Sequence, residues 1–388
     1  MPKIIIHSNT INFTLKILAV LSACCLLMQN AQALPFVSFD ARTAALGGVS
    51  VTGGARNAAF YNPALAAATE DDVDWLLMLP GAGQGIADPN DLEDGLDTFQ
   101  LEAKKLETDN SQANIDSTTN SLNSLTDSVY NEQEIITIMA AIPSANFAGA
   151  VYLSYQTYYS AKTDVGTPNL GANPPDYASS LEHKAVNIIE QGVTLANYLD
   201  NPNYVFSDLK IGMTFKLMLF ETYAYTEDIQ DASIELDTNN IRHKSGDFNF
   251  DLGIAKEFGV WKMGLVVKNV LSQDTHYGDT DEVFTIGPQV RAGFAYRSRR
   301  NMLGIDVDLT KNDEIVDYGE TQYAALGWEI AVFRALRFRL GYKHNLIGDK
   351  LGTYSGGLGI MLGPLEINAA ALGNEDGSAV FGDLSFRF

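Results

Sequence analysis

Hydrophobic and polar residues alternate along much of this chain. In residues 209–219, Leu209, Ile211, Met213, Phe215, Leu217 and Leu219 share one face; Lys210, Gly212, Thr214, Lys216 and Met218 share the other. That two-residue period is the signature of a strand, whose successive side chains point to opposite sides. It returns at 248–254, with Phe248, Phe250, Leu252 and Ile254 opposing Asn249, Asp251 and Gly253. At 261–268, Trp261, Met263, Leu265 and Val267 oppose Lys262, Gly264, Val266 and Lys268. At 303–310, Leu303, Ile305, Val307 and Leu309 oppose Gly304, Asp306, Asp308 and Thr310. At 336–343, Leu336, Phe338, Leu340 and Tyr342 oppose Arg337, Arg339, Gly341 and Lys343. Weaker versions mark 72–80, 133–142, 147–160, 284–297, 321–332, 353–362, 365–372 and 379–388. Turn sequences such as 143–146, 298–301, 333–335 and 363–364 separate neighbours, which predicts an antiparallel up-and-down meander of thirteen strands.

Two stretches carry a helical period instead. Leu92, Leu96, Phe99, Ala103 and Leu106, then Leu122, Leu125 and Val129, predict amphipathic helices inserted in 91–129. Leu181, Ala185, Ile188, Leu195 and Leu199 predict a second helical insertion over 179–199. Apolar helical stripes usually pack on a core, here over a barrel mouth or rim loop; the alternative is a lid or a docking surface. Upstream of the strands, 41–67 is rich in Gly and Ala and has neither period. Its small residues suit close backbone approach, so 34–70 reads as a plug, against a disordered linker, and Phe60-Tyr61-Asn62-Pro63 favours a defined turn.

Alternation alone fits a soluble β-sandwich as well as a membrane barrel. The apolar faces of the five segments spelled out above contain no Lys, Arg, Asp or Glu. Lys or Arg facing lipid near the midplane costs roughly 2–4 kcal/mol, which would forbid them there. The opposite faces hold Lys210, Lys216, Lys262, Lys268, Asp306, Asp308, Arg337 and Arg339, interspersed with Gly, as a hydrated or ion-paired lumen would. Trp261 and Trp328 are placed for an interfacial girdle. The expected fold is therefore all-β: a closed transmembrane antiparallel barrel over 71–388. Closure makes the last strand pair with the first, so the terminal Leu384, Phe386 and Phe388 face lipid while Asp383, Ser385 and Arg387 face the lumen.

Composition adjusts this picture at three points. The mean hydropathy of −0.04 is unremarkable, but barrel strands raise it far less than membrane helices do. Lys3 and Lys16, the apolar run 17–28 and the small-x-small site Ala31-Gln32-Ala33 read as a signal peptide over 1–33, cleaved after Ala33 to leave 355 residues; Leu21-Ser22-Ala23-Cys24 is a competing lipoprotein site. Cys24 and Cys25, the two cysteines, both fall inside it, so the processed chain has no thiol chemistry. The net charge of −22, which becomes −24 without the two signal lysines, disfavours nucleic acid as a partner. Much of the acid lies in expected loops at 88–97, 274–282 and 374–377, where it serves solubility or divalent bridging to anionic headgroups; no EF-hand spacing occurs.

The stretch "AALGG…AAFYNPA", with Asn62, Pro63 and Ala64, resembles the N-terminal hatch of FadL-like outer-membrane barrels. Over about 35–388 the chain is similar to the plasmid conjugal transfer TraF-type barrel family, and the lack of CxxC separates it from the thioredoxin-like proteins of the same name. The resemblance implies about fourteen strands, a hatch at Asn62, Pro63 and Ala64, and, for FadL-like members, passage of hydrophobic molecules. Since such barrels are even-numbered, one strand is missing from the thirteen. Phe386 and Phe388 resemble the terminal signal read by the barrel-assembly machinery, although Gly382 lies one residue out of that pattern.

No cofactor is expected. His183, His243, His276 and His344 form no HExxH or HxH, no GxSxG occurs, and "GAGQG" at 81–85 lacks dinucleotide-binding spacing. No local spacing supports a barrel enzyme. The expected function is a non-enzymatic barrel of the bacterial outer membrane, in contact with lipid and lipopolysaccharide: a plugged pore or conjugation-associated component. The alternative is a transporter for long-chain fatty acids or other hydrophobic small molecules.

Overall fold

A computed structural model describes residues 37–53, 59–67, 75–142, 148–170, 175–199, 208–237, 242–312, 315–316, 319–333, 335–347 and 352–388. Residues 1–33, expected as a signal peptide with Ala31 and Ala33 at its cleavage site, and the expected turn at 143–146 lie outside the described residues.

Fourteen antiparallel strands close into a barrel. In order they are β1 (Leu76–Ala87), β2 (Val129–Ile142), β3 (Ala148–Val165), β4 (Ser179–Leu199), β5 (Leu209–Asp228), β6 (Arg242–Phe258) and β7 (Trp261–Lys268). After a two-stranded hairpin, β8 (Gln273–His276) and β9 (Val283–Ile286), the wall resumes with β10 (Gln289–Arg297), β11 (Asn301–Asp308), β12 (Tyr323–Val332), β13 (Leu336–Asn345), β14 (Thr353–Leu362), β15 (Leu365–Gly373) and β16 (Gly377–Arg387). Each wall strand pairs with its neighbours in sequence, and β16 pairs with β1, Leu77 opposite Phe386. The seam is closed by Trp75 and Phe388, which exchange backbone bonds of 3.1 and 2.9 Å. The terminal aromatic is thus a member of the ladder, which leaves the sheet no free edge.

The fourteenth strand is β4, at 179–199, where the helical spacing pointed to an insertion. Its odd-numbered residues face outward and its even-numbered residues inward, so Leu181, Ala185 and Leu195 do share a face, but Ile188 lies on the other. The distal half of β4 is buried on both sides, which erases the polar-apolar contrast that marks a strand. Residues 284–297, expected as one strand, divide into β9 and β10 at Gly287-Pro288, since proline cannot donate to a ladder.

Face assignment is unambiguous in β11: Leu303 and Ile305 are 46% and 48% exposed, Asp306 and Asp308 each 1%. The outward rows form a continuous apolar belt. Trp75, Trp261 and Phe388 rim it at the end carrying the shorter connections, and Tyr342 and Tyr354, with rings 4.9 Å apart, rim it at the other. Trp328 lies in the middle of β12, opposite Leu303 and Leu340, rather than in a girdle.

The barrel is taller on one side. β3, β4 and β5 run 18, 21 and 20 residues, about twice what a tilted strand needs to cross a bilayer. Their excess rises beyond the belt at the long-loop end and is covered on both faces. Outside, α2 (Leu92–Thr108) and α3 (Gln112–Ser124) pack Leu92, Leu96, Phe99 and Leu122 against Tyr159, Leu181, Ala185 and Tyr223. These helices therefore clad the outer wall rather than cover the mouth. Asp88 caps α2 by accepting from the Leu92 and Glu93 amides at 2.6 and 3.2 Å. Ser117 of α3 ties the two helices by donating to Glu102 of α2, which Lys105 of α2 also bonds, and these hydrogen bonds hold its carboxyl below the usual carboxylate range. Inside, the β8–β9 hairpin folds into the mouth and sets Phe284 and Ile286 against Ile188 and Phe220. No helix among the described residues is long and apolar enough to cross a membrane.

Candidate functional site: a hatch seated in the lumen

Residues 37–53 and 59–67 run through the barrel interior and are almost wholly buried. Their shape is fixed locally. Asp40 caps the short helix α1 (Ala41–Ala45), accepting from the Thr43 amide at 2.8 Å, and also accepts from the Tyr61 hydroxyl at 2.8 Å. Asn62 caps a 3-10 turn, Pro63–Ala66, through the Ala64 amide, while its own amide donates to Val51 O at 3.0 Å and Ile254 O at 3.2 Å. Proline at the first helical position suits such a turn because no backbone donor is wasted there. Asn62, Pro63 and Ala64 thus form the knuckle by which the hatch rests on β5 and β6.

The wall receives this knuckle because its inward side chains are missing there. A Cβ on Gly253 would lie 2.1 Å from Asn62 Oδ1, and one on Gly341 2.1 Å from the Gly47 nitrogen. Gly212, Gly264 and Gly327 meet hatch atoms in the same way. These glycines are in register across adjacent strands: Gly212 opposite Gly253, Gly264 opposite Gly293, Gly327 opposite Gly304 and Gly341. The glycine that alternates with charge in the sequence is the seat of the plug.

Charged groups lock it. Glu329 joins hatch and wall, 2.9 Å from Arg42 and 2.8 Å from Arg339. Arg337 approaches the same carboxylate at 3.5 Å, and Arg339 also donates to Asn368 at 2.7 Å. Asp383 accepts from the Ala41 amide at 3.0 Å, and Asp306 from the Ser50 and Val51 amides at 2.7 and 2.9 Å. Lys268 donates to Phe60 O at 2.8 Å. Asp308 pairs with Arg291 at 2.5 Å, Lys216 with Asp251 at 2.9 Å, and Lys210 and Lys262 share Glu257 at 2.9 and 2.7 Å. The eight lumen residues anticipated from the alternation face inward; Lys268 and Asp306 bond the hatch directly, Arg339 and Arg337 reach it through Glu329, and the others brace the wall. Asp40, Arg42 and Glu329 were not singled out by sequence, and Asp383 was placed in the lumen without its hatch partner; Arg42 meets Glu329 about 290 residues away and Ala41 meets Asp383 about 340 away, which leaves no local spacing.

Above the hatch, on the long-loop side, lies a cavity of about 190 Å³. Its floor is Val37 and Ser38; its walls include Ile135, Tyr158, Leu372 and Phe381, with Gly83 and Gly85 of the "GAGQG" stretch, and Ile315, Thr321, Tyr323 and Lys343. β1 carries a bulge between Met78 and Gly81 beside this region, around Leu79-Pro80. Among the described residues no cluster of His, Asp or Glu could hold a metal ion. Phe386 and Phe388 stack at 6.3 Å at the end of β16.

This architecture has known counterparts. Solved structures that cover most of the chain include a deltaS2S3 mutant of the TodX monoaromatic hydrocarbon channel (TM-score 0.55, 10% identity, 90% of this chain and 98% of that one). The Ralstonia pickettii toluene transporter TbuX gives 0.53 at 10% identity, covering 92% and 98%. A Pseudomonas aeruginosa FadL homologue gives 0.52 at 12% identity, again covering 92% and 98%. At these identities the likeness is one of fold: a FadL-like outer-membrane barrel. No curated protein matches the sequence. The family described as "F plasmid transfer operon, TraF, protein" matches residues 59–308, well over half of the chain, and to that family this fourteen-stranded barrel belongs.

Proposed function

We propose that this chain, exported by its N-terminal signal and delivered to the barrel-assembly machinery through Phe386 and Phe388, is a hatch-gated passage for small hydrophobic molecules. The bacterial outer membrane is its place, with the short-turn end in the periplasm and the long loops outside, as such barrels are oriented. The observation that carries the reading is the cavity, walled by Ile135, Tyr158, Leu372 and Phe381 beside a few polar groups, directly on top of a hatch that polar latches, not a covalent bond, hold to the wall. A molecule entering from outside stops there, and release inward requires Arg42, Ser50 and Val51 to leave Glu329 and Asp306. The three structural counterparts named above, two of them described as handling monoaromatic hydrocarbons or toluene, share the barrel fold. The cavity volume favours compact molecules over long-chain fatty acids: an apolar cavity of about 150 Å³ holds benzene, and a long acyl chain exceeds it by many methylenes. Uptake of radiolabelled toluene by cells producing the chain tests this. Uptake is expected to rise several-fold over cells lacking it and to change on deletion of residues 41–67; unchanged uptake in both comparisons overturns the reading.

The family description favours a second reading, a surface component of conjugation. It predicts lower mating efficiency on deletion of the gene with toluene uptake untouched.

A further inference from the structure

The cavity over the hatch is not purely apolar, and its one ammonium is unlike the other lumen lysines described above. Lys210, Lys216 and Lys262 face carboxylates, and Lys268 donates to a carbonyl. Among the described residues, Lys343 has neither kind of partner. Its Nζ lies 4.4 Å from the centre of the Tyr323 ring, which fixes the ammonium but leaves its donors unused. The charged groups that act on it are Arg291 and Asp308, already bound to each other at 2.5 Å, so neither leaves the ammonium a carboxylate of its own. A partly desolvated ammonium without an acceptor is unfavourable, and an anion entering the cavity would satisfy it.

We infer that the cavity is a binding site for a small aromatic carboxylate, with the carboxylate on Lys343 and the ring between Tyr158, Ile135 and Phe381. The inference rests on the proposed passage of small molecules and narrows its substrate class from neutral hydrocarbon to organic monoanion. Volume sets the scale: if about 150 Å³ accommodates a benzene ring, 190 Å³ accommodates the ring and one small substituent. Chemistry sets the substituent. The Ser38 and Thr321 hydroxyls, which also line the cavity, can donate to a carboxylate, whereas a ligand ammonium would meet Lys343 as a like charge.

Ligand-observed NMR titration of the full processed chain in detergent distinguishes the possibilities, with benzoate, toluene and benzylamine as probes. Benzoate is expected to bind about tenfold or more tightly than toluene, in keeping with a charge-assisted hydrogen bond, and benzylamine more weakly than either. Lys343→Met should remove that advantage and leave toluene affinity within about twofold, and Lys343→Arg should retain it. Toluene binding as tightly as benzoate overturns the inference while leaving the passage standing; no binding of either overturns both. If Lys343→Met fails to fold, the order of the three probes on the unaltered chain still decides.

Discussion

At the scale of single residues, the hatch is held by shape and by charge, and the two are separable by mutation. Gly341 and Gly47 touch where a side chain would intrude on backbone. Gly341→Val is therefore expected to leave the barrel folded but to force the hatch off its seat, at a cost of about 1–3 kcal/mol. Ion conductance in planar bilayers would rise from a closed baseline. Glu329 is the second lever. Glu329→Gln leaves Arg42 and Arg339 buried without their shared carboxylate, and breaking a buried pair of this kind costs about 3–5 kcal/mol. Denaturant unfolding followed by limited proteolysis should reveal early cleavage within 37–53, with the wall strands still protected. The eight lumen charges were legible in sequence because the opposite faces of their strands contain no Lys, Arg, Asp or Glu. The latch residues on the hatch were not, because Arg42 and Asp40 lie in a stretch with no period to place them on a face. Lys343 sat in a recognised inward row and was overlooked because its distinction, the lack of a carboxylate partner, exists only in three dimensions.

At the scale of elements, legibility followed the membrane. Where one face meets lipid and the other the lumen, alternation is clean, and β7, β14 and β15 begin where the pattern does. Where the wall rises beyond the belt and is clad by α2 and α3 outside and the β8–β9 hairpin inside, both faces turn apolar, and β4 passed for a helix. The helices themselves were readable, since Leu92, Leu96, Phe99, Ala103 and Leu106 make a single stripe; their location on the outer wall was not, because nothing local says which surface a stripe will meet. Phe99 is the centre of that packing, edge-on to Tyr177 at 5.2 Å. Phe99→Ala is expected to cost about 3–5 kcal/mol locally and to free the hairpin for proteolysis around 109–111. The membrane-embedded wall, observed as a heat-modifiable band, should persist.

At the scale of the whole molecule, the account joins three features: a sealed cylinder with a lipid-facing belt, a plug seated on a ring of glycine, and a small chamber above the plug bearing one unmatched ammonium. On the proposed function, they would together make a vessel that admits a compact molecule from the long-loop end and releases it when the lock at Glu329 and Asp306 yields. The central claim is the orientation of the rows, on which lumen, plug and chamber all depend. It is tested most directly by spin-label accessibility along β11 in lipid vesicles, one label at a time at Leu303, Met302, Ile305, Gly304, Val307 and Asp306. The barrel predicts that the odd positions collide freely with oxygen dissolved in the bilayer while the even positions are shielded from it. Uniform shielding at the odd positions, or free collision at the even ones, would contradict the account.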